Sequence, residues 1–110
     1  MLQVIGTKKD RNTLKAERFL KERRIEYQFV DLDKYELSEK EWISIFNSVS
    51  DLHELIDKDS AFYKKKGYDY LEYDPKEELI EHPELLKKPI LRRGCKAVLG
   101  LDEDFMRVEA

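Results

Sequence analysis

The chain of 110 residues holds one cysteine, Cys95, and two histidines, His53 and His82. A single cysteine closes no internal disulfide and builds no cysteine-based metal site. The histidines stand far apart without ligand spacing and read as surface or capping residues. Prolines number three and glycines four, and there is no low-complexity stretch, internal repeat or long linker. No apolar run approaches the about 20 residues of a membrane helix. The opening Met1-Leu2-Gln3-Val4-Ile5 is too short for a signal segment and lacks its basic start. The expectation is one domain over 1–110, monomeric and cytoplasmic, with no metal, no cofactor and no membrane contact.

Charge is what the chain has in abundance: 41% of residues are charged, for a net −3. Residues 1–30 carry +4, residues 31–87 carry −8 and residues 88–110 carry +1. Basic ends therefore enclose an acidic middle. A nucleic-acid binder is usually basic overall, with aromatic residues among its cations. Nucleic acid is thus the least favoured partner, with Lys8, Lys9, Arg11, Lys15 and Arg18 as the residues that would carry it. The plain reading of this charge division is a solvated, charge-mixed surface.

The apolar run from Leu2 to Ile5, ended by Gly6, reads as a short buried strand. Ala16, Phe19 and Leu20 then fall on one helical face, in a helix from Asp10 to about Arg24. Ile25 to Leu32 alternates, with Ile25, Tyr27 and Phe29 on one side and Val30 and Leu32 on the other, which predicts a second strand. A right-handed crossover makes the two strands parallel. Ser38 and Glu41 form a capping box before Trp42, Ile45 and Phe46. Short helices are expected after Ser50 or Asp51 and over Ala61 to Lys66, before an aromatic loop of Tyr68, Tyr70, Leu71 and Tyr73. Asp74-Pro75 starts another helix, with Leu79 and Ile80 as its core contacts. From Pro89 to Leu99 the pattern is an antiparallel hairpin turning at Arg93-Gly94. Pro89 opens its strand, where proline is tolerated and a cis bond is an option. A last helix begins at Asp102-Glu103 and contains Phe105 and Met106.

The corner from Gly6 to Thr13 organises the rest, because helix starts present free N–H groups and a positive dipole end. Its residue at the helix start is Asp10, well suited to capping and unsuited to redox chemistry. Lys8, Lys9, Arg11 and Lys88 are the anion-binding candidates.

In this order the elements resemble the arsenate reductase (ArsC)/Spx family, a branch of the thioredoxin and glutaredoxin fold. The resemblance rests on the strand and Gly6 loop, Lys15-Ala16 with Phe19-Leu20, and Ile25-Glu26-Tyr27. It continues in Leu37-Ser38 with Glu41, in His82-Pro83-Glu84-Leu85-Leu86-Lys87-Lys88-Pro89-Ile90 and in Val98-Leu99-Gly100-Leu101-Asp102-Glu103-Asp104. It implies an α/β fold: a thioredoxin-like mixed four-stranded sheet flanked by helices. A helical insertion, about 37–87, lies between strand two and the Pro89 strand, whose proline is cis in the family.

The resemblance also implies chemistry that these residues do not supply. Relatives carry a nucleophilic Cys before helix one, followed in Spx-type regulators by the second Cys of a redox switch. Aligned on Lys15-Ala16 and Leu20, the first position is Asp10 and the second is Thr13. A carboxylate forms neither a disulfide nor a thiol–arsenate adduct. The family's oxyanion-binding Arg falls around Asp57-Lys58-Asp59, and the Arg before the cis-proline is Lys88. Lysine keeps the charge without the bidentate fork. Whether the chain is an enzyme is therefore open, and no catalytic residue is assigned. The leading expectation is a member without arsenate reductase activity, acting as a regulatory or protein-binding domain, as Spx does on RNA polymerase. The alternative is a thiol-dependent oxidoreductase coupled to glutathione or thioredoxin. It would work through Cys95, beside Arg92, Arg93 and Lys96. Glutathione enters only under that alternative.

Overall fold

Two parallel strands joined through a helix form the frame. In the computed structural model, which describes residues 1–107, β1 (Leu2–Gly6) pairs with β2 (Tyr27–Asp31) from Leu2↔Tyr27 to Gly6↔Asp31. The connection is α1 (Arg11–Glu22). Strands β3 (Ile90–Arg93) and β4 (Lys96–Leu99) form an antiparallel hairpin, and β3 adds antiparallel to β1. The sheet order is β2-β1-β3-β4, the expected mixed four-stranded sheet. Between β2 and β3 lie α2 (Glu39–Phe46), α3 (Ala61–Lys66) and α4 (Pro75–Glu81), with 3₁₀ turns at Leu52–Leu55, Tyr68–Tyr70 and Pro83–Leu85. A short α5 (Glu103–Arg107) follows the hairpin. No described helix is long and apolar enough to cross a membrane.

Strand side chains alternate between two faces, and the two faces bury different cores. Leu2, Val4 and Leu91 pack with Ala16 and Leu20 of α1 and Met106 of α5. Ile5, Val30 and Ile90 pack with Trp42, Ile45, Leu55, Leu79 and Leu86 on the opposite face. The predicted sides of β2 hold: Ile25, Tyr27 and Phe29 join the α1 face, Val30 and Leu32 the other.

Several local expectations are corrected. Helix α1 stops at Glu22, and Arg24 takes a left-handed φ of 56°, which turns the chain into β2 two residues later than Ile25. Leu79 of α4 is fully buried, but Ile80 is 47% exposed, because a seven-residue helix turns only one column of side chains to the core. The aromatic loop divides: Tyr68 is buried and stacks on Tyr63 at 5.4 Å, while Tyr70 is 92% exposed. The hairpin turn is Gly94-Cys95, since Arg93 pairs with Lys96, and Gly94 supplies the left-handed φ of 56°. Cys95 is accordingly an exposed turn residue and not a strand residue. The Lys88-Pro89 peptide bond is cis.

Candidate functional site

The chain leaves β1 at Gly6, turns through Thr7, Lys8 and Lys9, and enters α1 at Asp10. Asp10 is extended (φ −82°, ψ 123°), the backbone state of an N-cap. Its Oδ2 accepts from the Thr13 N–H and from Thr13 Oγ1, each at 2.8 Å. The two positions that the family resemblance marks are therefore bonded to each other. Thr13 is fully buried against the end of β1. A Cβ on Gly6 would lie 2.7 Å from Thr13 Cγ2 and 3.0 Å from Thr13 Cβ, closer still to Oγ1, so only glycine lets helix and strand meet here.

Beside this corner opens a cleft of about 450 Å³. Thr7 and Lys9 line it from the loop, Leu32 and Asp33 from the end of β2, and Pro83, Glu84 and Lys88 from the segment before β3. Of the four anion-binding candidates, Lys9 and Lys88 line the cleft; Lys8 and Arg11 are exposed and do not. The Lys88 ammonium is half-buried and donates to the carbonyl of Leu86 at 2.9 Å and, more weakly, to that of Glu84 at 3.4 Å. Burial lowers its pKa below the ordinary 10.5; the charges of Asp10, Asp57, Asp33 and Glu84 oppose that shift. Two of these carboxylates, Asp33 and Glu84, line the cleft with Lys88, and among the described residues none of the four forms an ion pair with it.

The Asp57-Lys58-Asp59 stretch lies outside this cleft and lines a separate groove with Asp51, His53 and Lys87. The Asp57 N–H donates to the Leu85 carbonyl at 2.7 Å, and Asp57 Oδ1 accepts from the Asp59 N–H at 3.1 Å. His53 is exposed with its ring edge toward Tyr73, and His82 lies on the Phe62 ring at 4.9 Å. Among the described residues no group of His, Cys, Asp and Glu side chains could hold a metal.

A second polar cluster joins β1, α2 and β3. Glu41, 4% exposed, accepts from the Ser38 N–H (2.8 Å), Gln3 Nε2 (3.2 Å) and Tyr35 Oη (3.2 Å). Arg92 donates to Ser44 Oγ at 2.6 Å and to Gln3 Oε1 at 2.9 Å. Burial acts to raise the Glu41 pKa, but the hydrogen bonds from Ser38, Gln3 and Tyr35 outweigh it and hold the carboxyl below its usual value. The sequence shows Glu41 only as half of a capping box. Its wider role has no local signal, since Gln3 and Arg92 lie at opposite ends of the chain.

Cys95 is remote from the corner. Ile5 pairs with Ile90 and Gln3 with Arg92, so Pro89 lies toward the Gly6 end of β1 and the Gly94-Cys95 turn beyond its Leu2 end. The separation is about the length of β1, roughly 15 Å at ~3.3 Å per residue. The thiol edges its own groove of about 360 Å³, with Lys40, Ile43, Asn47 and Arg92.

Comparison with known proteins agrees with this fold. Residues 6–108 match the model of the ArsC family. An ArsC family-related protein from Bacteroides fragilis superposes with a TM-score of 0.78 at 16% identity, over 94% of this chain and 92% of that one. An arsenate reductase-related protein from Brucella melitensis gives 0.70 at 20% identity, over 94% and 88%. Arsenate reductase from Vibrio cholerae gives 0.74 at 14% identity, over 89% and 87%. At these identities the likeness is one of fold. No curated protein sequence matches the chain significantly.

Proposed function

Because the chain belongs to the ArsC family, we propose that it is a member without oxyanion-reducing chemistry, working as a regulatory, protein-binding thioredoxin-like domain. One observation carries this reading. The helix-one corner holds a carboxylate, and one oxygen of it takes both donors of Thr13. A thiolate at such a corner is stabilised by the helix start and attacks; Asp10 satisfies the helix start and has no electrons to exchange. The sole thiol lies beyond the far end of β1. Asp33 and Glu84, which line the cleft with Lys9 and Lys88, further disfavour a polyanionic substrate. The test is arsenate-dependent oxidation of glutathione, or of thioredoxin with its reductase. The expected rate equals the protein-free blank, and a rate well above it overturns the proposal.

The exposure of Cys95 beside Arg92 and Lys40 favours one other reading, a thiol oxidoreductase acting at the hairpin with glutathione. Under it, Cys95 attacks glutathione disulfide, forming a mixed disulfide and releasing one glutathione thiolate. Stoichiometric adduct, seen by intact mass and reversed by thioredoxin, would select this reading. A sluggish thiol without adduct would leave the chain with no redox group.

A further inference from the structure

Helix α1 turns Thr13, Ala16 and Leu20 into the protein and nothing else among the described residues covers its opposite face. On that face Arg11, Leu14, Lys15 and Arg18 follow one another at i, i+3, i+4 and i+7, and all four are exposed. Leu14 is 45% exposed, a large apolar side chain set between two arginines. Lys8 and Lys9 extend the positive surface before the helix, and Lys21 extends it toward the helix end.

None of these cations has an internal ion pair. The three ion pairs among the described residues are Arg23–Glu22, His82–Glu81 and Arg107–Glu103. The nearby carboxylates are otherwise engaged: Asp10 with Thr13, Glu17 with the Tyr27 hydroxyl at 2.7 Å, and Glu22 with Arg23. Arg11 and Lys15, four residues apart, repel on the helix surface, and Arg18 and Lys21 add like charge beside them. An acidic surface laid across them would relieve that repulsion.

Resting on the protein-binding reading above, we infer that this face is its docking surface and that the partner is an acidic protein segment with an apolar side chain seated on Leu14. An apolar centre ringed by charge is the anatomy of a protein interface. A phosphate backbone offers nothing for Leu14, and the face has no exposed aromatic ring for base stacking.

The experiment pans a random peptide library on the full chain, with counter-selection on Arg11→Glu/Arg18→Glu. Recovered peptides are then measured by fluorescence anisotropy, with duplex DNA as a parallel probe. The expected peptides are acidic, contain Leu, Ile, Met or Phe, and lose at least about tenfold in affinity on the double variant. Leu14→Ser weakens them about three- to tenfold, and Arg11→Gln/Arg18→Gln gives an intermediate loss. Recovery of no peptide that needs the arginines, recovery of neutral or basic peptides, indifference to Leu14→Ser, or tighter binding of duplex DNA would each overturn the inference. The arsenate assay is independent of this surface: a blank result there with failed docking removes only the surface, and turnover there removes only the regulatory reading.

Discussion

Gly6→Ala tests how closely β1 and α1 meet. The added methyl would lie 2.7 Å from Thr13 Cγ2 and 3.0 Å from Thr13 Cβ, and Thr13 is fully buried. Thr13 must then rotate, or α1 must lift from the sheet. Overpacking of this kind costs about 1–3 kcal/mol. Rotation also breaks the hydrogen bond from Thr13 Oγ1 to the Asp10 carboxylate, which is about 1.5 kcal/mol for a charged acceptor. The sum is about 3 kcal/mol. With an m-value of about 1.5 kcal/mol/M, the urea midpoint falls by about 2 M. Trp42, the single tryptophan, is 7% exposed and reports unfolding by fluorescence. Thr13→Ala alone should cost about 2 kcal/mol, from the same hydrogen bond and a lost methyl. In Gly6→Ala/Thr13→Ala the two worst contacts are gone, so the pair should cost about 3 kcal/mol and not the additive 5 or so. A Gly6→Ala midpoint within about 0.3 M of wild type, or strict additivity in the double variant, would refute the reasoning.

Asp10→Ala should lose about 1–2 kcal/mol in thermal unfolding, and Asp10→Asn clearly less, because the amide oxygen still caps Thr13; equal melting of all three forms contradicts the cap. Glu41 has a folded pKa below its ordinary 4.5, so its support is present above about pH 4.5 and is lost as pH falls through the folded value. Glu41→Gln should therefore lower stability near neutrality and flatten the acid side of the urea-midpoint-against-pH curve; an unchanged acid limb would count against the Glu41 network. Tyr68 lies buried with its hydroxyl donating to Glu78 at 2.7 Å, and burial, then that bond, push its pKa up to about 12 from 10.0. The stability it contributes is present below pH 10 and lost as pH rises through about 12. Burial also raises the pKa values of Tyr27 and Tyr63, so alkaline titration of phenolate absorbance should show a late phase that Tyr68→Phe diminishes by one phenol; an undiminished phase would contradict the assignment.

What the sequence made legible was what neighbours in the chain decide. The Asp10 cap, the Ser38/Glu41 box and the Asp74-Pro75 start each need only three or four residues, and all three occur as read. The alternation of β2 placed Phe29 and Val30 in opposite cores correctly. Ile80 failed because a helix of seven residues gives too little periodicity to tell the buried column from its neighbour. The hairpin turn failed by one residue, since Arg93-Gly94 and Gly94-Cys95 both place the glycine where a left-handed φ is needed. The site divides in the same way. Its corner was visible as a strand, a glycine and a capping aspartate. The cleft that gathers Asp33, Glu84 and Lys88 and the Arg92–Gln3 bond, 89 residues apart in sequence, exist only after the sheet sets their register.

Ile56 and Leu86 form an isolated antiparallel bridge, flanked by the bonds Asp57 N–H to Leu85 O (2.7 Å) and Lys87 N–H to Leu55 O (2.8 Å). The chain thus departs from and returns to a single fixed point, and residues 57–85 are a closed excursion. A change of length within that excursion leaves both ends in place, so strand register is insulated from it. Only its inward side chains, Tyr63, Tyr68 and Leu79 among them, stay bound to the shape of the sheet beneath. The bridge makes this quarter of the chain the place where an insertion or deletion leaves the frame of β1, α1 and β3 in position.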